Sequence, residues 1–210
     1  MRIENIAICD FYLKSILYRI IINNYYRGND GTYENAIFEY ENEDDDGKHR
    51  LIYAYFGLAI YISQCIEETF SNMLWTHRVC NDNVKTKKEL NDIIDIFENS
   101  KKTMGNFINE VKKNYELPNE LKDDLENILA RRNFLVHKYF KLEVQKFHTE
   151  FGQKEMLKYF SNFIDETKII DNKLMSYYNI YRQKLGITEE SIEQAMAEME
   201  KEEIERVNSL

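Results

Sequence analysis

Apolar residues recur at intervals of three and four along most of this chain, and that spacing marks one face of an α-helix. The first such face, over roughly 5–26, is formed by Ile6, Cys9, Leu13, Ile16, Leu17, Ile20 and Ile21. The second, over about 50–78, is formed by Leu51, Tyr55, Leu58, Ile62, Cys65, Ile66, Thr69 and Met73. Because this second face is almost wholly apolar, it predicts the central helix of a bundle.

Residues 27–49 interrupt the helical pattern. They contain Gly28, Gly31 and Gly47 together with a run of acids. Glycine and aspartate favour turns, and Tyr33–Tyr40 alternates weakly between apolar and polar side chains. The segment is therefore predicted to be a loop or a short hairpin, and the most mobile part of the chain.

The second half of the chain continues as helices separated by short polar breaks, the first of them a loop at 79–87. Further helices are predicted at about 88–98, 102–115, 118–148, 153–184 and 188–207. Pro118 suits the first turn of its helix, and Gly186 is a favourable C-terminal stop. The last helix is highly charged with few apolar residues, which predicts a solvated or partner-seeking tail.

The fold class is therefore predicted to be all-α, a helical bundle with a charged C-terminal helix. One proline and seven glycines in 210 residues are too few for the turns of a β-sandwich or barrel. Residues 1–49 are assigned to an N-terminal helix and acidic loop, 50–184 to the bundle, and 185–210 to the C-terminal helix. Length favours one domain for residues 1–184.

Cysteine usage and hydropathy predict a soluble protein of the cytoplasm. Cys9, Cys65 and Cys80 are odd in number and far apart, so we expect reduced thiols rather than a disulfide framework or a zinc site. The apolar stretch Leu51–Ile62 is too short to cross a bilayer, and no membrane partner is expected.

The net charge of −9 argues against indiscriminate coating of nucleic acid, but the charge is uneven. Glu39–Asp46 holds six acids and no base, and residues 188–210 hold eight acids against two bases. Residues 131–148 carry one acid, Glu143, against the bases Arg131, Arg132, Lys138, Lys141 and Lys146. This basic strip predicts a site for one phosphate chain, although each lysine alone also fits a solvated helix face.

The residues best suited to chemistry lie in this strip, at Arg132, Asn133 and His137. Arginine is a permanent cation whose planar fork suits a phosphate. Histidine can accept or donate a proton near neutral pH. Together these groups supply what is needed to cut a phosphodiester without a metal.

Arg132 also interrupts an apolar seam spaced by four and three residues. The seam consists of Leu121, Leu125, Ile128, Arg132, Leu135, Tyr139 and Leu142. A cation in a packing stripe is costly unless something pairs with it. Its stem can pack while its head reaches solvent, it can pair with Glu67 or Glu68, or it can be held in a cleft for an anionic ligand.

Helix geometry separates the two principal groups. His137 lies five residues after Arg132, which is about 140° away around a straight helix. Asn133 shares a face with His137, and Tyr139 shares another with Arg132. One phosphate can meet both Arg132 and His137 only if the helix distorts, or if two copies of the site face each other across a dimer.

The pattern Arg132-Asn133-x-x-x-His137-x-Tyr139 resembles the signature of the HEPN superfamily of helical bundles. The tyrosine two residues after the histidine resembles the form found in HEPN toxins paired with minimal nucleotidyltransferases. The resemblance implies a metal-independent endoribonuclease, a homodimer with a composite site, and a role as a toxin or anti-phage defence effector. It also implies an RNA substrate and an antitoxin or regulatory partner.

The resemblance implies a role for each residue of the motif and its basic neighbours. Arg132 and His137 are predicted to be catalytic, with Asn133 and Tyr139 supporting them. The resemblance also implies an alternative role for Tyr139, as the residue to which a partner enzyme adds a nucleotide. Arg131, Lys138 and Lys141 are predicted to bind RNA, and neither a metal nor a cofactor is expected.

The other histidines, His49, His77 and His148, lie apart in the sequence and are expected in surface or capping roles. Two other functions fit the same sequence. In a non-catalytic helical adaptor, Arg132 pairs with a core acid and the acidic tail docks a basic partner. In an antitoxin or immunity-type protein, the acidic runs imitate nucleic acid.

Overall fold

The computed structural model describes residues 31–82 and 84–209, and every regular element in these ranges is a helix. In chain order the elements are α1 Thr32–Glu41, α2 Asp45–Asn81, α3 Lys87–Glu98, α4 Met104–Asn114, α5 Asn119–His137, α6 Tyr139–Glu143, the 3-10 helix Val144–His148, α7 Glu150–Lys184 and α8 Glu189–Asn208. The all-α prediction is confirmed. The helix predicted at 5–26 lies outside the described residues. None of the described helices has the length and apolar character needed to cross a membrane.

Several helix ends follow from local capping. Thr86, Thr103 and Thr188 each accept a hydrogen bond from the backbone N–H three residues later, which satisfies a donor that the helix leaves unpaired. Gly186 follows α7 with a φ of +74°, a conformation that glycine adopts without strain. The predicted stop at this glycine and the restart at Thr188 are confirmed.

The prediction of a loop or hairpin over 27–49 is wrong for the residues that the structure describes. Helix α1 buries Thr32, Ala36 and Tyr40, which are spaced by four residues and so share one face. The acids that suggested a turn instead begin α2, because the Asp44 side chain accepts a hydrogen bond from Gly47 N at 2.7 Å. Carboxylates are favourable at this end of a helix, where unpaired N–H groups point outward.

The motif helix is shorter than predicted. α5 ends at His137 rather than near 148, because Lys138 leaves the helical conformation with φ −132° and ψ −25°. The chain then forms α6 and the 3-10 helix before α7. Gly152 lies so close to this segment that a Cβ there would be 2.3 Å from the Lys146 carbonyl oxygen. This close backbone approach packs the end of the segment against the start of α7. Neither proline nor glycine marks the break at Lys138 within residues 119–148.

The described residues group into two compact units. One contains residues 31–67 and 116–174, and the other contains residues 68–82, 84–115 and 175–209. Helices α2 and α7 therefore each supply residues to both units. The division predicted at residues 49 and 185 stays a prediction. Cys65 is buried and Cys80 is partly buried, and neither forms a disulfide within the described residues.

Candidate active site

The apolar seam of α5 positions the candidate site. Leu121, Leu125, Ile128 and Leu135 are at most 4% exposed, as the spacing predicted. The seam extends past the end of α5 to Tyr139, but Leu142 is 52% exposed. The prediction for Leu142 is wrong because the break at Lys138 changes the direction in which later side chains leave the backbone.

Arg132 lies at the edge of this seam beside Glu67 of α2. Its Nη2 is 3.8 Å from Glu67 Oε2, a loose contact, and its Nη1 is 3.4 Å from Asn133 Oδ1. The Arg132 Nε is buried and has no hydrogen-bond acceptor among the described residues. Burial raises the pKa of Glu67, and the nearby Arg132 offsets this only in part. The guanidinium therefore retains bonding capacity that the fold does not use.

His137 is the last residue of α5, and its side chain is exposed. No hydrogen bond joins its imidazole to another residue in the described ranges. The helix remains α-helical from Asn119 to His137, so Arg132 and His137 leave its axis about 140° apart. The distortion falls after His137 rather than between the two residues. One chain therefore does not direct both groups to one point.

The two supporting residues differ in their surroundings. Asn133 is exposed, and its side-chain oxygen accepts from Arg132 rather than from His137. Tyr139 is only 2% exposed and packs against the rings of Phe134, Tyr159 and Phe160 at centroid distances of 5.7, 5.1 and 4.9 Å. Burial raises the pKa of the Tyr139 phenol. In this conformation Tyr139 is part of the core, and its hydroxyl is not open to a partner enzyme.

Some cations of the basic strip pair with acids, and others are exposed and unpaired with acids in the described residues. Arg131 pairs with Glu166, and its guanidinium lies 5.4 Å from the ring centroids of both Tyr159 and Phe163. Lys146 pairs with Glu143 at 3.0 Å. Lys138 and Lys141 are exposed and pair with no acid in the described part of the chain. Of the three predicted RNA-binding cations, Lys138 and Lys141 are therefore the ones directly accessible to a phosphate.

An aromatic row beside the motif was missed by the sequence analysis. His49, Tyr53 and Phe56 follow one face of α2, and Phe140 and Phe147 come from the segment after His137. Successive ring centroids from His49 through Phe147, Tyr53 and Phe140 to Phe56 are 4.8, 5.3, 5.8 and 4.8 Å apart. His49 was expected in a surface or capping role, but it is half-buried and stacks on Phe147. The spacing of His49, Tyr53 and Phe56 along one helix was the available signal.

No protein-family model, curated protein or solved structure matches this chain. Within residues 31–82 and 84–209, no group of three His, Cys, Asp or Glu side chains is arranged to hold a metal ion.

Proposed function

We propose that this protein is a metal-independent endoribonuclease of the HEPN type that acts as a homodimer, as a toxin or anti-phage defence effector. The observation that carries the proposal is the state of Arg132. Among the described residues its one acidic contact, to Glu67, is 3.8 Å long, and its side chain is 26% exposed. The guanidinium is therefore held loosely and is accessible, so an anionic oxygen can form charge-assisted hydrogen bonds with it.

The residue types support cleavage through the 2′-hydroxyl of RNA. An imidazole takes the 2′-O–H proton, the 2′-oxygen bonds to the adjacent phosphorus, and the P–O5′ bond breaks. The departing 5′-oxygen takes a proton, which leaves a cyclic phosphate and a 5′-hydroxyl. Proton transfer by His137 contributes about 10²–10⁴-fold to the rate. Arg132 stabilises the charge that develops on the non-bridging oxygens.

The angle between these groups supports a site built from two chains. Because Arg132 and His137 point about 140° apart around α5, Arg132 of one protomer and His137 of the other are the pair that meets one phosphate. In this arrangement Lys138 and Lys141 bind flanking phosphates, and Asn133 orients Arg132. An antitoxin or regulatory partner would then control the exposed site rather than the buried Tyr139 hydroxyl.

A second function is favoured by the Arg132–Glu67 contact. In a non-catalytic helical adaptor, this contact and the buried Tyr139 ring serve only the fold, and His137 has no chemical role. The two functions differ in what the imidazole does. Loss of His137 abolishes activity in the enzyme and changes nothing in the adaptor.

The test is cleavage of total RNA by the purified protein in the presence of a chelator. Wild type is compared with His137→Ala, Arg132→Ala and, as a matched control, Arg78→Ala, whose exposed arginine pairs with Asp82 at 3.2 Å. Cleavage by wild type and the control, and its loss in both motif variants, supports the enzyme. The adaptor is supported if Arg132→Ala unfolds while His137→Ala leaves both folding and RNA unchanged.

A further inference from the structure

A cavity of about 480 Å³ lies at one end of the aromatic row. It is in the unit formed by residues 31–67 and 116–174, and its lining includes Asp45, Lys48, His49, Phe147, Glu150 and Gln153. These residues come from the start of α2, the 3-10 helix and the start of α7. The volume is in the range of small-ligand pockets and is large enough for a nucleoside.

A buried amide holds the cavity wall in place. Gln153 is 8% exposed; its Oε1 accepts from the Tyr40 hydroxyl, and its Nε2 donates to Phe147 O at 2.8 Å. The same Nε2 lies 3.2 Å from His49 Nε2, and because an amide nitrogen only donates, the imidazole nitrogen is the acceptor in this contact.

Part of the wall is a stacked pair of rings. The His49 and Phe147 rings are nearly parallel, with an interplanar angle of 8° and centroids 4.8 Å apart, so each ring covers one face of the other. With His49 tied to Gln153, the pair is held in place, and a base can stack only on its outer face. Such surfaces bind nucleobases by stacking, a contact worth about 1–3 kcal/mol per base.

The polar lining selects which base is preferred. Glu150 already pairs with Lys154 at 3.3 Å, which leaves Asp45 as the carboxylate available to a ligand. A carboxylate accepts hydrogen bonds, so it favours a ring edge that presents N–H donors. Adenine, cytosine and guanine carry an exocyclic amino group, whereas uracil flanks its one N–H with two carbonyl oxygens that the carboxylate repels. Lys48, whose Nζ lies 5.0 Å from the Tyr40 ring centroid, supplies a cation for the attached phosphate.

The aromatic row connects this cavity with the motif. Phe147 contacts Tyr53, which is 57% exposed and contacts Phe140, three residues after His137. Tyr53 is thus an open ring between the cavity and the segment that follows the candidate catalytic histidine. A single strand with one base in the cavity would have Tyr53 available for the next base.

We propose that this cavity binds an amino-bearing nucleobase of a single-stranded RNA, stacked on the outer face of the His49–Phe147 pair with its polar edge toward Asp45. That the base belongs to RNA rests on the endoribonuclease function proposed above. The same base chemistry is presented by a free mononucleotide, and the two sources are separated by experiment.

The experiment measures binding by isothermal titration calorimetry with two kinds of probe. The first is the set of four ribonucleoside 5′-monophosphates. The second is a set of 2′-O-methyl tetranucleotides, which lack the attacking hydroxyl and are not cleaved. AMP, CMP and GMP are expected to bind about tenfold more tightly than UMP. Asp45→Asn is expected to weaken them about fivefold, whereas the neighbouring Asp46→Asn, outside the cavity lining, changes nothing.

Equal binding of all four nucleotides, or equal effects of Asp45→Asn and Asp46→Asn, would overturn the base assignment. His49→Ala tests the stacking contact independently, and we expect it to weaken nucleotide binding by about a further tenfold because the stacked ring is lost. Tetranucleotides that bind no more tightly than mononucleotides would overturn the RNA assignment and identify a free nucleotide as the ligand. If nucleotide binding is base-selective but RNA is not cleaved, only the proposed nuclease activity is refuted. If RNA is cleaved and the Asp45 and His49 variants cleave it as wild type does, only the proposed role of the cavity is refuted.

Discussion

Among the described residues, Glu67 is the only acid that contacts Arg132, and Glu67 Oε2 lies 3.8 Å from Arg132 Nη2. Both side chains are 26% exposed. Desolvation of the Glu67 carboxyl has a larger effect on its pKa than the attraction of Arg132. The pair is therefore loose, and the carboxylate competes with any phosphate that approaches the guanidinium.

Glu67→Gln is expected to stabilise the protein at high pH. Because the pKa of Glu67 is raised in the folded protein, its stabilising contribution is complete below its ordinary value of 4.5 and is lost as the pH rises through the folded value. Glutamine has no such loss. Urea unfolding at pH 8 and pH 4 should give a variant more stable by about 0.5–1 kcal/mol at pH 8 and a smaller difference at pH 4. A variant less stable than wild type at pH 8 would show that the ion pair outweighs desolvation.

Mixing two inactive variants is expected to restore RNA cleavage. If each site takes Arg132 from one protomer and His137 from the other, a heterodimer of Arg132→Ala and His137→Ala contains one intact site. Equal co-expression, followed by an assay on total RNA, should give about one quarter of wild-type activity. Each variant expressed alone is the control. Two soluble variants that form heterodimers but recover nothing would place both groups in one chain or remove them from catalysis.

Tyr139 is expected to act through its ring rather than its hydroxyl. Tyr139→Phe keeps the contacts with Phe134, Tyr159 and Phe160, so thermal unfolding and RNA cleavage should both stay close to wild type. Tyr139→Ala leaves a cavity and should cost about 3–5 kcal/mol in the free energy of unfolding. A large loss of cleavage in a fully stable Tyr139→Phe protein would assign the hydroxyl a direct role in substrate positioning.

Two glycines should respond to alanine in opposite directions. At Gly152 a Cβ would meet the Lys146 backbone at 2.3 Å, so Gly152→Ala should destabilise the protein by about 1–3 kcal/mol. At Gly57, inside α2, no atom lies within 4 Å of the added Cβ, and Gly57→Ala should stabilise by about 0.5–1 kcal/mol. Guanidinium unfolding of both variants checks the pair. Equal effects would mean that the bend at residues 138–148 is not held by close backbone approach.

Local chemistry made much of the fold predictable. Threonine caps and Gly186 identify helix ends because their partners lie within a few residues. Helix α1 was missed because nearby acids, which also favour turns, obscure the helical spacing of Thr32, Ala36 and Tyr40. The end of α5 was missed because residues 119–148 contain neither proline nor glycine to mark the break at Lys138.

The candidate site was also predictable in part from the sequence. Glu67 was one of two acids expected as a possible partner of Arg132, and it lies 3.8 Å from the guanidinium. The partner of His49 could not be anticipated, because Gln153 is far away in the sequence and meets it only through the packing of α2 with α7. Tyr139 was expected to support the site, but its ring fits the aromatic core.

The passage of α2 and α7 through both compact units has an evolutionary consequence. The boundaries fall inside these helices, between Glu67 and Glu68 and between Leu174 and Met175. Each unit is also assembled from separate stretches of the chain. Neither unit can therefore be passed to another gene as one continuous segment, and we expect the two to be inherited together.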